Sequence, residues 1–143
     1  MLLAGGVAAG KTTLRRQKYN TGYYVVLDAA EIFINLCWGQ YLDFPGPLEE
    51  PLDLVGCGVA RRIFKERRHF VTEIIGHEME PTKQLIDAIT GAGFHCEFAG
   101  LTLDVQVAWD RSVGRGKNNI SAYYAEPYHC RWILAAAEGS RTE

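Results

Sequence analysis

The chain has 143 residues, a formal net charge of −2 and a hydrophobic fraction of 48%. This length and composition are typical of a single folded domain, residues 1–143, with a core of its own. The small net charge gives no electrostatic reason to expect nucleic acid as a partner, and the chain lacks a run of about 18 apolar residues that could span a membrane.

The cysteines of the chain are widely spaced and form no Cys-x-x-Cys pair. Such spacing favours free thiols in a reducing compartment, so we expect a cytoplasmic protein. His129 and Cys130 are neighbours, but no cluster of further ligands accompanies them, and a zinc site is not expected. The N-terminal apolar run leads directly into a glycine-rich loop, which is not the pattern of a secretory signal. The cysteines are Cys37, Cys57, Cys96 and Cys130.

The first motif follows a short apolar run, residues 1–4, that predicts a brief strand. Residues 5–13 then match G-x-x-x-x-G-K-[ST], the pattern of the phosphate-binding P-loop. Glycines allow successive backbone N–H groups to curl around a polyphosphate. A helix that starts near Lys11 directs its positive dipole end at the same anion. The Lys11 ammonium can reach the β- and γ-phosphates, and the Thr12 hydroxyl can bind Mg²⁺.

This glycine-rich loop predicts a site for a nucleoside triphosphate, with ATP and Mg²⁺ as the expected ligands. A glycine-rich turn without a ligand is the alternative, which the strand–loop–helix context disfavours. The loop residues expected to contact the nucleotide are Gly5, Gly6, Val7, Ala8, Ala9, Gly10, Lys11, Thr12 and Thr13.

The rest of the chain alternates between strand and helix patterns. The alternation predicts an α/β fold of three layers, a mostly parallel sheet with helices on both faces. Together with the glycine-rich loop, this arrangement resembles the P-loop NTPase type of fold. Ligands bind such sheets at the carboxyl ends of the strands, so the residues there are site candidates. The elements expected after the loop are a helix from Lys11, a strand over 23–27, a helix over 29–38, a loop over 39–48, a helix over 50–68, a strand over 70–75, a helix from Glu80, a strand over 94–99, a helix over 103–113 and a last helix opened by Pro127.

Asp28 follows the second predicted strand and has two compatible interpretations. Its carboxylate can orient an acceptor hydroxyl, or accept its proton, near the transferred phosphate. It can also cap the next helix, with Glu31 three residues later in the first turn.

Glu73 lies within the third predicted strand, where a carboxylate is costly unless a cation or hydrogen-bond donors accompany it. In a P-loop sheet this position could lie near Mg²⁺ and its waters; a solvent-facing glutamate is the alternative. The aspartate that commonly ends this strand is absent. His77 and Glu78 follow in the next loop and could touch substrate, although exposed loop residues are the simpler interpretation.

Arg111 and Arg115 are four residues apart and would share a helix face if that helix continued past Val113. Beside a glycine-containing segment, with Lys117 close by, they suit a lid that neutralises charge on the γ-phosphate. Two solvated surface arginines are the alternative. Arg131, on the last helix, is a weaker candidate.

With these motifs in place, the chain resembles the small P-loop kinases, and among them the zeta-toxin-like group. The similarity rests on the P-loop, the strand end Val-Val-Leu-Asp (25–28), the strand Val-Thr-Glu-Ile-Ile-Gly (71–76) and the Arg111/Arg115 segment. It implies Asp28 as the base, Glu73 as the acid on the third strand, and both arginines as phosphate ligands.

The resemblance further implies an ATP-dependent kinase that moves the γ-phosphate to a hydroxyl of a small molecule or a nucleotide-sugar-like acceptor. Two features depart from the group. Ala30 stands where a second acid often follows the strand-end aspartate, and the chain stops after its last helix, where these kinases usually continue into a fifth strand. A nucleotide-binding switch module with little turnover remains the alternative. A GTPase is disfavoured because no Asn-Lys-x-Asp motif occurs.

Overall fold

The computed structural model describes residues 1–40, 43–115 and 120–141. The strands are β1 (Leu2–Gly5), β2 (Val25–Val26), β3 (Phe70–Ile74) and β4 (Phe98–Leu101). The helices are α1 (Lys11–Lys18), α2 (Ala29–Leu36), α3 (Glu49–Lys65), α4 (Met79–Gly91), α5 (Val105–Val113) and α6 (Ala122–Ser140), with a 3-10 turn over Gly46–Leu48 before α3.

The strands form one sheet in the order β2-β3-β1-β4, and each neighbouring pair is parallel. The predicted α/β class and parallel sheet are therefore confirmed. β1 is short, as expected, yet it lies between two partners: Leu3 is in register with Glu73 of β3 and with Ala99 of β4. This central position holds the end of β1, where the glycine-rich loop begins.

Helices cover both faces of the sheet, as predicted. Adjacent residues of a strand point to opposite faces, and in β3 Thr72 meets His129 of α6 whereas Glu73 meets Arg15 of α1. Most of the core lies on the α6 face. Its members include Leu2, Ala4, Phe70 and Ile74 from the sheet and Phe33, Leu52, Ile63, Leu85, Trp132 and Ile133 from the helices.

Close packing of α3 against α6 explains a glycine that would otherwise weaken α3. Gly56 is buried, and a Cβ at that position would overlap the indole ring of Trp132. The Trp132 Nε1–H donates to Asp53 Oδ1 over 2.7 Å, which satisfies the polar atom of the buried ring. The glycine therefore serves the contact between the two helices.

Two predicted strands have different bounds in the structure. β2 spans two residues at an edge of the sheet. Tyr23 and Tyr24 of the predicted 23–27 segment instead pack around His69. β4 begins at Phe98 and not at Phe94. The Phe94 ring packs against aromatic residues of α3 and β3, so the chain joins the sheet only after it.

The prediction that Pro127 opens the last helix is wrong. α6 begins at Ala122, and the carbonyl of Ser121 accepts from the N–H groups of Tyr124 and Ala125. Proline lacks an N–H and so removes one intrahelical hydrogen bond, a loss that the packing of α6 on α3, α4 and β3 offsets. In the ranges that the structure describes, none of the helices combines the length and apolar character needed to cross a membrane.

Candidate functional site

A cleft of about 710 Å³ opens at the carboxyl edge of the sheet, where β1, β2 and β3 end. It brings together most of the residues that the sequence singles out. Those that line it are Ala8, Ala9, Gly10, Lys11, Thr12, Thr13, Asp28, Glu73, Arg111 and Arg115. Gly5, Gly6 and Val7 are not among the residues that line this cleft.

The glycine-rich loop turns sharply between β1 and α1. Gly10 has φ +96° and Ala8 has φ +63°, a left-handed conformation that is uncommon for alanine and recurs at ligand sites. Gly10 is the N-cap of α1 and provides no side-chain cap, so the first N–H groups of the helix are suited to an anion. Gly5 has a structural role, because a Cβ there would lie 2.7 Å from the carbonyl oxygen of Leu101.

The Lys11 side chain folds back onto its own loop. Its Nζ donates to the carbonyl oxygens of Gly5 at 2.6 Å and Gly6 at 2.9 Å. Burial lowers the pKa of the Lys11 ammonium, and the charge of Arg115 lowers it further, whereas Glu73 and Glu126 act in the opposite direction. An ammonium has three donors, and these two bonds hold the group at the end of β1 with one donor for a phosphate oxygen.

Thr12 and Glu73, the two residues predicted to bind Mg²⁺, contact each other directly. Thr12 Oγ1 donates to Glu73 Oε2 over 3.0 Å, and the glutamate is buried. The pair offers hydroxyl and carboxylate oxygens, which suit Mg²⁺, an ion that needs few protein ligands beside phosphates and water. In the described part of the chain, no group of three or more His, Cys, Asp or Glu side chains could hold a metal by itself.

Arg15 is a central residue of the site that the sequence analysis missed. It is 2% exposed, and its Nε donates to Glu73 Oε1 over 2.7 Å. Its Nη2 donates to Glu31 Oε1 at 2.8 Å and lies 3.6 Å from Asp28 Oδ2. Burial opposes the charged guanidinium, but the bonds to Glu31 and Glu73 outweigh it and raise the pKa of Arg15.

Asp28 caps the next helix, as one of its two interpretations predicts, and it also lines the cleft. It caps α2, since Oδ1 accepts from the N–H groups of Ala30 at 2.8 Å and Glu31 at 3.4 Å. The residue is buried and lines the cleft. Glu31 does not reach back to the cap; it binds Arg15 and Arg16, and their hydrogen bonds lower its pKa despite partial burial. Asp28 Oδ2 faces Arg15 and is the oxygen not engaged in capping.

Arg111 and Arg115 both line the cleft, although they do not share one helix face. α5 ends at Val113, and Arg115 follows in the turn after Gly114. Both side chains are exposed. Lys117, expected beside them, lies outside the described residues.

Three weaker candidates lie elsewhere. Arg131 binds Asp53 of α3, with Nη2 2.7 Å from Oδ2, and lies over the Tyr128 ring. His77 and Glu78 line a separate groove of about 260 Å³ between α4 and α6. The structure therefore does not bring these residues into the cleft.

His129, a second residue absent from the predicted site, also lines the cleft and is 2% exposed. It lies on α6, far along the chain from the loop, and no local motif marks it. No protein-family model matches this chain, and no curated protein matches it. Function is therefore inferred from the chemistry of the cleft.

Proposed function

We propose that this protein is an ATP-dependent phosphotransferase with a P-loop NTPase-type fold, which transfers the γ-phosphate of ATP to a hydroxyl of a small acceptor. The proposal rests on one observation: a phosphate-binding loop, a carboxylate and two arginines all line the same cleft. A glycine-rich loop with Lys11 and Thr12 lies beside a strand-end carboxylate, Asp28, and two arginines border the same space. Phosphoryl transfer needs these three functions: a phosphate cradle, an acceptor ligand and charge neutralisation.

The loop and the cations would hold the polyphosphate. Backbone N–H groups at the start of α1 and the Lys11 ammonium would bind phosphate oxygens, and the exposed Arg111 and Arg115 can turn toward the γ-phosphate. Thr12 and Glu73 would hold Mg²⁺ through their oxygens. When bound, Mg²⁺ supplies positive charge beside the β- and γ-phosphates.

Asp28 would position the acceptor. Its Oδ2 would accept a hydrogen bond from the acceptor hydroxyl and align the oxygen with the γ-phosphorus. The bond from that phosphorus to the β,γ-bridging oxygen breaks as the bond to the acceptor oxygen forms. ADP leaves, and the hydroxyl proton passes to Asp28 and then to solvent.

Asp28→Asn tests this assignment, because asparagine is as good an N-cap as aspartate. We expect the variant to keep its stability and its affinity for a non-hydrolysable ATP analogue. Acceptor-dependent ADP release, measured over a panel of hydroxyl compounds with Mg²⁺·ATP, should be lost. Asp104→Asn is the matched control, because Asp104 caps α5 in the same way outside the cleft.

Normal transfer by Asp28→Asn would refute the role of Asp28. A wild-type protein that binds the analogue but shows no acceptor-dependent ADP release would instead indicate a nucleotide-binding switch. Failure to bind the analogue would refute the proposed function as a whole.

A further inference from the structure

The groove between α4 and α6 is a second concave surface, and it shares none of its lining residues with the cleft. Its volume of about 260 Å³ is at the small end of the range for ligand pockets. The end of β3 contributes the buried side chains of Ile74 and Ile75. The two helices contribute four more apolar side chains, which are Pro81, Leu85, Pro127 and Leu134.

Two further observations describe the apolar part of this α4–α6 groove. Burial raises the pKa of the Cys130 thiol to about 12, so at neutral pH this group is uncharged and packs like a small apolar side chain. Pro81 and Pro127 are exposed, so the groove opens to solvent. The groove can therefore admit an apolar group about the size of one aromatic ring.

The carboxylates that line the groove give it a negative charge. Glu78 and Glu126 line it, whereas none of the described lysines and arginines does. Glu126 is partly exposed, and its Oε2 accepts from the Ile75 N–H over 2.9 Å. Its Oε1 accepts no hydrogen bond from the described residues and is not one of their fully buried unpaired atoms. This oxygen is therefore available to a ligand.

Glu126 also lacks a bound counter-charge within the described part of the chain, where it forms no ion pair. The Lys11 ammonium interacts with the charge of Glu126, but it donates to the carbonyl oxygens of Gly5 and Gly6 instead. A partly buried carboxylate is stabilised by a cation that binds it directly. The chemistry of the groove is thus complementary to a ligand that joins an apolar body to a cation.

We propose that the α4–α6 groove binds a small primary amine, with its ammonium on Glu126 Oε1 and an apolar body of about one ring between the two helices. An ammonium can donate to Oε1 while Oε2 keeps its bond to Ile75. A neutral analogue loses the charge-assisted hydrogen bond, and an anionic analogue is repelled by Glu78 and Glu126. This inference goes beyond the proposed function and does not depend on it, because the groove and the cleft have no lining residue in common.

The first test compares three ligands of similar shape and different charge: phenethylamine, phenethyl alcohol and hydrocinnamate. Each is titrated near neutral pH into the full ¹⁵N-labelled chain without nucleotide, and the backbone amide signals are followed. Phenethylamine should shift the signals of Ile75 and Leu85 and should bind at least about tenfold more tightly than the alcohol, the effect of one charge-assisted hydrogen bond. Hydrocinnamate should shift neither signal.

Four results of these titrations would overturn the inference. Absence of a shift with phenethylamine contradicts the site, and equal affinities for the amine and the alcohol contradict the bond to Glu126. Shifts confined to Ala9 and Gly10 would place the amine in the cleft. Changes at Ile75 and Leu85 that appear on raising the protein concentration, without any ligand, would assign the groove to a second copy of the chain.

The second test removes the charge of Glu126. In Glu126→Gln the amide oxygen can still accept from Ile75, so the contact between α6 and β3 is kept. We expect the affinity for phenethylamine to fall about ten- to a hundredfold and the affinity for the alcohol to stay within about twofold. Glu138→Gln is the matched control, because Glu138 is exposed on α6 outside the groove. An unchanged affinity for the amine in Glu126→Gln, or an equal loss in Glu138→Gln, would overturn the inference.

The third test changes the apolar part of the groove and stays decisive if Glu126→Gln does not fold. Cys130→Met extends a neutral side chain into the space, whereas Cys130→Ala leaves the space open. The methionine variant should bind both phenethylamine and the alcohol at least about fivefold more weakly than the alanine variant, because a filled groove excludes the ring. Equal affinities in the two variants would overturn the placement of the apolar body between α4 and α6.

Discussion

Arg15 Nε donates to Glu73 Oε1 over 2.7 Å, while the other oxygen of the same carboxylate accepts from Thr12 over 3.0 Å. One buried glutamate thus connects the guanidinium on α1 with the hydroxyl at the end of the glycine-rich loop. Arg15 also contacts Glu31 and lies near Asp28. We infer that it positions the acids of the cleft relative to one another and balances their charge.

Removal of the Arg15 guanidinium should therefore lower the stability of the fold. Arg15→Ala would leave Glu73 and Asp28 buried without their counter-charge, and we expect the free energy of unfolding to fall by about 3–5 kcal/mol. Arg16→Ala is the matched control, because Arg16 is exposed and binds the same Glu31. Its loss should be about 1 kcal/mol or less. Urea unfolding measures both, and equal losses would contradict the central role of Arg15.

Gly5 and Gly6 of the loop differ in how closely other atoms pack around them. In Gly5→Ala the new Cβ would crowd the Leu101 carbonyl at 2.7 Å, whereas a Cβ at Gly6 meets no atom within 4 Å. We expect Gly5→Ala to lose about 1–3 kcal/mol of unfolding free energy, the usual effect of overpacking. Gly6→Ala should change it by less than about 0.5 kcal/mol. Thermal unfolding without nucleotide compares the stabilities of the two variants. A Gly6→Ala variant as unstable as Gly5→Ala would contradict the close approach between residue 5 and the Leu101 carbonyl.

The sequence predicted those parts of the site that carry a local signal. The motif identified the loop and Lys11, and the end of an apolar strand identified Asp28. Glu73 stood out because a carboxylate on an apolar strand needs a partner. The partner itself could not be predicted, because Arg15 lies 58 residues away along the chain and reaches Glu73 only through the packing of α1 on the sheet.

His129 was missed for the same reason, since its contacts with Thr72 and Leu27 exist only after α6 packs on β3 and on the residue that follows β2. At Pro127 a local signal was present but misleading. Proline does favour the first turn of a helix, but the tertiary packing of α6 overrides that preference. Short-range chemistry was therefore predictable, and the contacts between distant elements were not.

The pair formed by Thr12 and Glu73 predicts how nucleotide affinity depends on Mg²⁺. Thr12→Val removes the hydroxyl, whereas Thr12→Ser keeps it and serves as the control. The ratio of affinities for an ATP analogue with Mg²⁺ and with EDTA should fall about ten- to a hundredfold in the valine variant. Titration calorimetry measures this ratio. A valine variant with the wild-type ratio would show that Thr12 does not support the metal.

Lys11 predicts the pH dependence of nucleotide binding. Burial holds its pKa below the ordinary value of 10.5. Between the folded pKa and 10.5 the unfolded chain binds more protons, so this group makes the nucleotide-free protein more stable as pH rises through that window. A bound polyphosphate favours the charged ammonium, so binding should take up a proton at alkaline pH, and affinity should fall as pH rises.

Lys11→Met tests whether the Lys11 ammonium is the group that takes up the proton when nucleotide binds. The variant should bind nucleotide weakly at every pH and take up no proton. Its nucleotide-free form should be no less stable near neutral pH, because a buried cation has been replaced by an apolar chain. Lys18→Met, at an exposed position on the same helix, should keep the wild-type profile. Calorimetry in two buffers of different ionisation enthalpy counts the protons, and equal uptake by wild type and Lys11→Met would assign the titration to another group.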